Sequence, residues 1–536
     1  VIPFDSQCYP YPSQRRLVFA QRGMVATSQL LAAEAGLEIL REGGNAIDAA
    51  ITTAACLTVV EPTSCGIGGD AFALVWTNGK IYGLNSSGPA PKAISGEEMR
   101  KKGFKKIPDT GWYPITVPGA PAAWVELSRK FGRLTLIQSL TPAIEYAQNG
   151  FPVSPVVSYL WGKAFDRYNK LKNMEELKYW FDTFVPMGRV PKPGEIWKIP
   201  EQACTLKEIA ESEANSFYSG DIADTIDLFS RKYGGYLRKE DLVSFCPEWV
   251  EPVCINYKGY DVWEIPPNGQ GLVALMTLNI LKEMPLAGRE FPDTFHYIIE
   301  AMKLAFTDGK TFITDSRQMK ESVERLLSSE YAAQRRSLIA EKALNPHFGK
   351  PSGNNTVYLA TADSEGNMVS YIQSNYMGFG SGIVIPGTGI ALHNRGHGFS
   401  LDPEHINYLE PGKKTYHTII PGFLTKDGEA VGPFGVMGGY MQPQGHVQVV
   451  TNIIDFGLNP QAALDAPRWQ WTGGKQIKLE DSFPQHITEK LKKMGHIIEV
   501  DYDSSGFGRG QIIWRDKNGV LIGATEPRCD GTVAAW

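Results

Sequence analysis

Thr356 follows Gly353-Asn354-Asn355 and opens a strand-like alternation. If the chain is cut before it, one residue carries both nucleophile and base. An α-amine with a pKa of about 7.7–8.0 can take the proton of its own Oγ near neutral pH without a histidine. Residues 357–362, the polar, glycine-containing loop 363–367 and residues 368–374 read as a β-hairpin. With Ala362 opposite Met368, antiparallel counting sets Thr356 against Ser374 on one face. Opposed Cβ atoms lie about 4.5–5.5 Å apart there, so the Ser374 hydroxyl can orient Thr356; a bulge would undo the pairing. Asn354-Asn355-Thr356 also spells a glycosylation acceptor, which applies only to a secreted chain.

Acyl transfer passes through a tetrahedral oxyanion, and Gly435-Val436-Met437-Gly438-Gly439 offers a place for it. At Gly438 and Gly439 no side chain keeps a carbonyl oxygen from two backbone N–H groups, and losing one such donor costs about 10²–10³ in rate. A plain glycine turn is the competing reading. Other signatures are missing: Gly66-Ile67-Gly68-Gly69 lacks dinucleotide-loop spacing, and there is no GxxxxGK[ST], GxSxG or HExxH. No metal is assigned, and the nine histidines read mostly as surface or polar-packing residues.

The elements that position these residues change character along the chain. Residues 28–41 are helix-prone, Gly43-Gly44 stops them, and Asn45, with Asp48 three places on, caps a small-residue helix over 46–60. Residues 72–76 and 81–84 flank the hairpin turn Asn78-Gly79. From about 121 to 343 the pattern is mainly helical, clearest at 122–130, 142–148 and 294–305, with Pro266-Pro267-Asn268-Gly269 as a loop. Strands return after Thr356, at 419–424 and at 511–514 closed by Asn518-Gly519, and a helix covers 444–456. Helix blocks around stacked sheets make one layered α+β solution.

Composition bounds the function. The 536 residues are 43% hydrophobic and 21% charged, ordinary for a globular protein with a large core. Lys+Arg number 53 against 58 Asp+Glu, too balanced for a nucleic-acid or membrane surface, which leaves small molecules as partners. No secretory signal stands at the start and no apolar run reaches membrane-spanning length, so a cytoplasmic location is expected. Seven cysteines without CxxC spacing read mostly as buried thiols.

The run Gly43-Gly44-Asn45-Ala46-Ile47-Asp48-Ala49-Ala50, followed by Val60-Glu61-Pro62-Thr63-Ser64-Cys65-Gly66-Ile67-Gly68-Gly69, resembles the opening signature of the γ-glutamyltranspeptidases. The similarity continues through Val117-Pro118-Gly119, Phe131-Gly132-Arg133-Leu134, Gly150-Phe151-Pro152-Val153-Ser154, Glu300-Ala301-Met302-Lys303-Leu304-Ala305-Phe306, Gly378-Phe379-Gly380-Ser381-Gly382 and Ala466-Pro467-Arg468. It implies the four-layer αββα sandwich of the amino-terminal nucleophile hydrolases and a precursor that cuts itself before Thr356. Segments 1–355 and 356–536 would then form one intertwined globular unit. No cofactor is implied.

Departures from the family fall in its acyl-recognition set. Alignment on Ala90-Pro91 puts Ser87 where the family holds a carboxylate with arginine. The family's acid for the substrate amine would fall near Asn394-Arg395-Gly396-His397-Gly398, which has none. Its paired serines correspond to His417-Thr418, and its strand asparagine to Tyr376 or, shifted by one, Asn375. Residues 399–411 are short for the lid loop, which implies an open site and an exposed nucleophile. Arg395 and His397 thus join Ser87, Asn375, Tyr376, His417 and Thr418 as candidate substrate-binding residues, with a solvated rim as the competing reading of Arg395.

The expectation is a self-processing amide hydrolase or acyltransferase. Thr356 attacks, Ser374 orients it, Gly438 and Gly439 hold the oxyanion, and water or an amine acceptor resolves the acyl ester. The family points to γ-glutamyl, glutathione-type amides. The rewritten set points instead to glutaryl-type amides, as in cephalosporin acylase relatives. A non-catalytic relative that binds an acylated metabolite is the alternative of another class.

Overall fold

Period-two alternation on both sides of Thr356 builds one wall of a double sheet. The structure, a computed structural model, describes residues 15–346 and 355–536; Gly353-Asn354 and the start of the chain lie outside them. Numbered in chain order, the strands of the two large sheets are β1 (Val18–Ala20), β2 (Gly23–Thr27), β3 (Asp70–Thr77), β4 (Lys80–Ser86), β5 (Glu248–Val250), β6 (Val253–Tyr257), β7 (Tyr260–Glu264), β8 (Asn355–Asp363), β9 (Met368–Tyr376), β10 (Gly422–Lys426), β11 (Glu429–Met437), β12 (Arg509–Arg515), β13 (Leu521–Thr525) and β14 (Thr532–Ala535). One sheet runs β14-β2-β8-β9-β3-β4-β5 and the other β1-β13-β12-β11-β10-β7-β6. Their pairings are antiparallel. Strands from before and after Thr356 therefore interleave, β8 and β9 lying between β2 and β3.

The inner faces meet through Phe72, Leu74, Tyr358, Ile372, Phe423 and Ile513. Gly435 on β11 permits the close approach, because a Cβ there would stand 2.4 Å from the Tyr358 ring. Helices cover both outer faces. On the first sheet lie α1 (Leu30–Arg41) and α2 (Ala46–Val60), whose Ala54 and Leu57 share a core with Leu359 and Tyr371. Asn45 Oδ1 accepts from the Ile47 and Asp48 amides, and Asp48 Oδ2 accepts from the Asn45 amide, the capping expected from sequence. On the second sheet lie α3 (Gly271–Leu281), α4 (Pro292–Phe312) and α5 (Gln442–Ile454), packed with Leu424, Phe434 and Ile512. Each fully buried leucine or valine here stabilises the fold by about 1.5–3 kcal/mol. The result is the four-layer αββα sandwich.

The middle of the chain is less uniformly helical than its periodicity suggests, since β5, β6 and β7 lie within it. Their turn at Lys258-Gly259 takes positive φ at both residues, 50° and 90°, and a lysine at the first position disguises it. Among the described residues no helix is long and apolar enough to cross a membrane. Of the described cysteines only Cys56, Cys65 and Cys529 are buried; Cys254 is half-buried, and Cys204 and Cys246 are exposed, short of the expected majority.

Arg468 of the Ala-Pro-Arg motif is buried. It donates to the Phe507 and Gly508 carbonyls at 3.0 and 2.9 Å and to Glu526 Oε2 at 2.6 Å. Gly508 in turn lies against Gly438, whose missing Cβ would stand 3.0 Å from its Cα. Arg468→Met should therefore lower the unfolding free energy by about 3–5 kcal/mol, the usual cost of breaking a buried pair from one side, as measured by urea denaturation. A loss below about 1 kcal/mol would mean that the network is dispensable.

Candidate active site

β8 and β9 keep Ala362 opposite Met368 and hold that register as far as Val357 opposite Gln373. There it slips by one residue, so that Asn355 faces Tyr376 and β9 carries the extra residue, Ser374 and Asn375 together standing opposite Thr356. The two hydroxyls still meet, Thr356 Oγ1 standing 3.0 Å from Ser374 Oγ. Ser374 Oγ also accepts from the Tyr376 amide at 2.8 Å. Tyr376 has φ 73°, a left-handed conformation that side chains larger than asparagine seldom adopt, and this local strain marks the site. Thr356 is only 1% exposed, so the open nucleophile expected from the short 399–411 loop is not found. It lies on an interior strand with the second sheet packed against its face.

Tyr376 leads to the next group. The Arg395 guanidinium carbon lies 4.2 Å from the centroid of its ring, and Arg395 Nη1 donates to Thr418 Oγ1 at 2.7 Å. Arg395 is 1% exposed, which rules out the solvated rim. Its Nε and Nη2 form one edge of the guanidinium and find no acceptor among the described residues. Gln270 Nε2 donates to the Thr418 carbonyl at 2.6 Å and to the Gly439 carbonyl at 2.8 Å, which ties that side to the glycine turn. Gly438 and Gly439 have φ 137° and 58°, between β11 and α5, and no described residue accepts from either amide. The turn thus presents backbone donors just before a helix N-terminus, where negative charge is favoured.

His417 sits beside this group. Its Nε2 donates to Asp70 Oδ2 at 3.0 Å and its Nδ1 accepts from the Ile419 amide, the pattern of a neutral ring. His393 Nδ1 lies 3.3 Å from the same Asp70 oxygen. Burial would raise the Asp70 carboxyl, but His393 and then His417 hold it well below the usual carboxylate range. Asp70 faces Ser374 across the β3–β9 pairing, a position that motif spacing did not single out. Ser87 Oγ donates to Asn85 Oδ1 at 2.7 Å and accepts from Asn268 Nδ2 at 3.3 Å, while the Asn268 carbonyl accepts from the His417 amide. Asn375 packs against Gly66 and Gly69, its side-chain amide buried without a hydrogen bond to a described residue. His397 bonds the Ile107 carbonyl at 2.6 Å and stands outside this chain of contacts.

One group of possible metal ligands emerges that HExxH spacing did not reveal. His296 and Glu300, one turn apart on α4, come together with His496, their ligand atoms within 4.8 Å of one another. A sequence signal exists in the helical His-x-x-x-Glu spacing. Lys303 already supplies positive charge there, its Nζ 2.7 Å from Glu300 Oε1. The hydrogen bonds also close without an ion: Lys303 to His496 Nδ1, His496 Nε2 to His296 Nδ1, and His296 Nε2 to the Ala340 carbonyl.

Two hydroxyls in contact, glycine amides that donate to no described residue and an unpaired guanidinium edge can together serve acyl transfer. Residues 32–536 match the family model described as gamma-glutamyltranspeptidase. The glutathione hydrolase-like YwrD proenzyme of Bacillus subtilis is 39% identical over 531 residues, covering 96% of this chain and 98% of that protein. The oxamate amidohydrolase proenzyme of Klebsiella pneumoniae is 34% identical, with 96% and 98% covered. The crystal structure of cephalosporin acylase from Bacillus halodurans superposes with a TM-score of 0.97 at 60% identity, covering 100% of this chain and 99% of that one.

Burial, and after it the Arg395 charge, pushes His417 from 6.5 down to about 3. Between those values the unfolded chain takes up a proton that the folded chain refuses, so stability from this site is complete above pH 6.5 and is lost as the pH falls toward 3. One such proton is worth about 1.4 kcal/mol per pH unit. His417→Asn should flatten the acid slope of unfolding free energy by about one proton in urea titrations. An unaltered slope would contradict a neutral His417.

Proposed function

This chain belongs to the gamma-glutamyltranspeptidase family, whose relatives named above are hydrolases and acylases, and from that premise we propose a self-processing amide hydrolase with Thr356 as its nucleophile. Cleavage before Thr356 divides the chain into an early and a late segment that stay associated, a division supported by the proenzyme relatives and the interleaved strands. The freed α-amine then lies on the same residue as Oγ1. As Oγ1 bonds to the substrate carbonyl carbon its proton passes to the amine, and as the C–N bond breaks that proton passes to the departing nitrogen. Water repeats the sequence on the ester: its oxygen bonds to the acyl carbon, the proton returns through the amine to Oγ1, and the acid leaves. Ser374 aims Oγ1, and the Gly438 and Gly439 amides meet the oxyanion. The observation that carries this reading is the 3.0 Å Thr356–Ser374 contact, which Tyr376 and Tyr440 connect to the glycine turn.

The acyl group we propose is that of a dicarboxylic acid monoamide, of the glutaryl type. The free Nε–Nη2 edge of Arg395 is a two-donor fork that fits a carboxylate. An α-ammonium as in γ-glutamyl amides would need an acid, and Asp70, beside His417, is engaged by two histidines. Oxamate, named for the Klebsiella relative, is itself such a monoamide.

Intact-mass spectrometry of the purified protein should give two fragments that meet between Asn355 and Thr356, and Thr356→Ala should stay whole. An uncut wild-type chain would contradict self-processing and favour a metabolite-binding protein. On the processed protein, glutaryl 4-nitroanilide should be preferred over its γ-glutamyl counterpart, and Arg395→Met should cut kcat/KM for the former about 10- to 100-fold. Preference for the γ-glutamyl anilide would overturn the acyl assignment and leave the nucleophile standing.

A further inference from the structure

A cavity of about 530 Å³ is lined by Tyr416 and Tyr440, by Lys310 on α4, and by the loop that carries Ser400, Glu404 and His405. Its size suits a small molecule. The Lys310 ammonium lies 3.8 Å from the Tyr416 ring centroid and 3.9 Å from that of Tyr440. No carboxylate of a described residue pairs with it, and the Glu404 carboxylate, although it lines the cavity, is exposed and not in ion-pair contact. Lys310 is half-buried, whereas the buried lysines Lys303, Lys413 and Lys414 meet Glu300, Glu410 and Glu248. Burial pushes the Lys310 ammonium well below the usual lysine range, and a carboxylate beside it would restore the charge. His405 accepts from the Asn407 amide at Nδ1, which leaves its Nε2 as a second donor.

The cavity shares its wall with the acyl-transfer residues. Tyr440 follows Gly439 directly, and its side chain hydrogen-bonds Tyr376, whose amide holds Ser374. Tyr416 Oη donates to Gln270 Oε1 at 3.0 Å, and Gln270 holds the Gly439 and Thr418 carbonyls. Arg395 stacks on Tyr376 and Tyr376 hydrogen-bonds Tyr440, so the guanidinium and this cavity are joined through the tyrosine pair.

We propose that this cavity receives the amine portion of the substrate and that Lys310 binds a carboxylate carried on it, so that the preferred amides are those of amino acids or aminobenzoates. The assignment rests on the reading of Thr356 as nucleophile. It gives the site two anion-binding cations, Arg395 for the acyl end and Lys310 for the end that leaves. An amine acceptor with a carboxylate would occupy the same place.

The test compares the glutaryl amides of 4-aminobenzoate and of the uncharged 4-aminobenzamide on the processed protein. Wild type should favour the carboxylated amide in kcat/KM, and Lys310→Met should lower that ratio about tenfold, chiefly through KM, while Lys310→Arg largely preserves it. A ratio that is the same in wild type and Lys310→Met, even with both rates reduced, would overturn the subsite. Turnover of the neutral amide by wild type reports on Thr356 whatever the ratio does. Calorimetric binding of free 4-aminobenzoate reads the subsite without any turnover. Binding lost in Lys310→Met and kept in Lys310→Arg is expected; equal binding in all three proteins, or none in wild type, would overturn the proposal.

Discussion

The register of β8 against β9 sets Thr356 beside Ser374 with their hydroxyls 3.0 Å apart, and the surrounding structure holds the extra residue that β9 carries at that point. A regular ladder would leave the backbone around Thr356 fully paired within the sheet. The extra residue on β9 interrupts that ladder opposite Thr356, and the left-handed turn at Tyr376 points an amide back at Ser374. Strain of this kind persists only where packing over-determines it. Here the packing is the inter-sheet core beneath Tyr358 and the close approach that Gly435 allows.

The pattern of buried charge distinguishes scaffold from site. Arg468 meets Glu526, Arg509 meets Glu61 and Arg528 meets Glu480, each within the folded interior, and the first of them holds the Gly508 backbone against the Gly438 turn. Arg395 and Lys310 differ, since each has an aromatic face and no carboxylate among the described residues. An unpaired cation withdrawn from water, wholly at Arg395 and in part at Lys310, is costly, and a ligand that brings negative charge is the natural compensation. His417, kept neutral beside Asp70, adds polarity without adding another charge to the same space.

Much of the sandwich was legible because its elements follow local rules. The Asn45 cap, the Asn78-Gly79 hairpin and the register from Ala362 to Val357 depend on nearest neighbours and period alone. The bulge opposite Thr356 was not legible, because one extra residue at the end of β9 leaves no mark in the alternation that precedes it. Nor were β5 to β7, short strands whose turn carries a lysine in a glycine-like conformation. In the site, the residues near Thr356 in the hairpin came from counting, whereas Asp70, Gln270 and Lys310 come together only through tertiary packing. The openness inferred from the short 399–411 loop failed for the same reason: that loop walls the neighbouring cavity instead of uncovering the nucleophile.

The central claim is that acyl groups pass through the oxygen of Thr356. It is tested most directly by acid-quenching the processed protein during turnover of a glutaryl aryl ester and mapping the acylated peptide by mass spectrometry. The account predicts a glutaryl mass on the peptide that begins at Thr356, carried by its side-chain oxygen. An acyl group on any other side chain would contradict it.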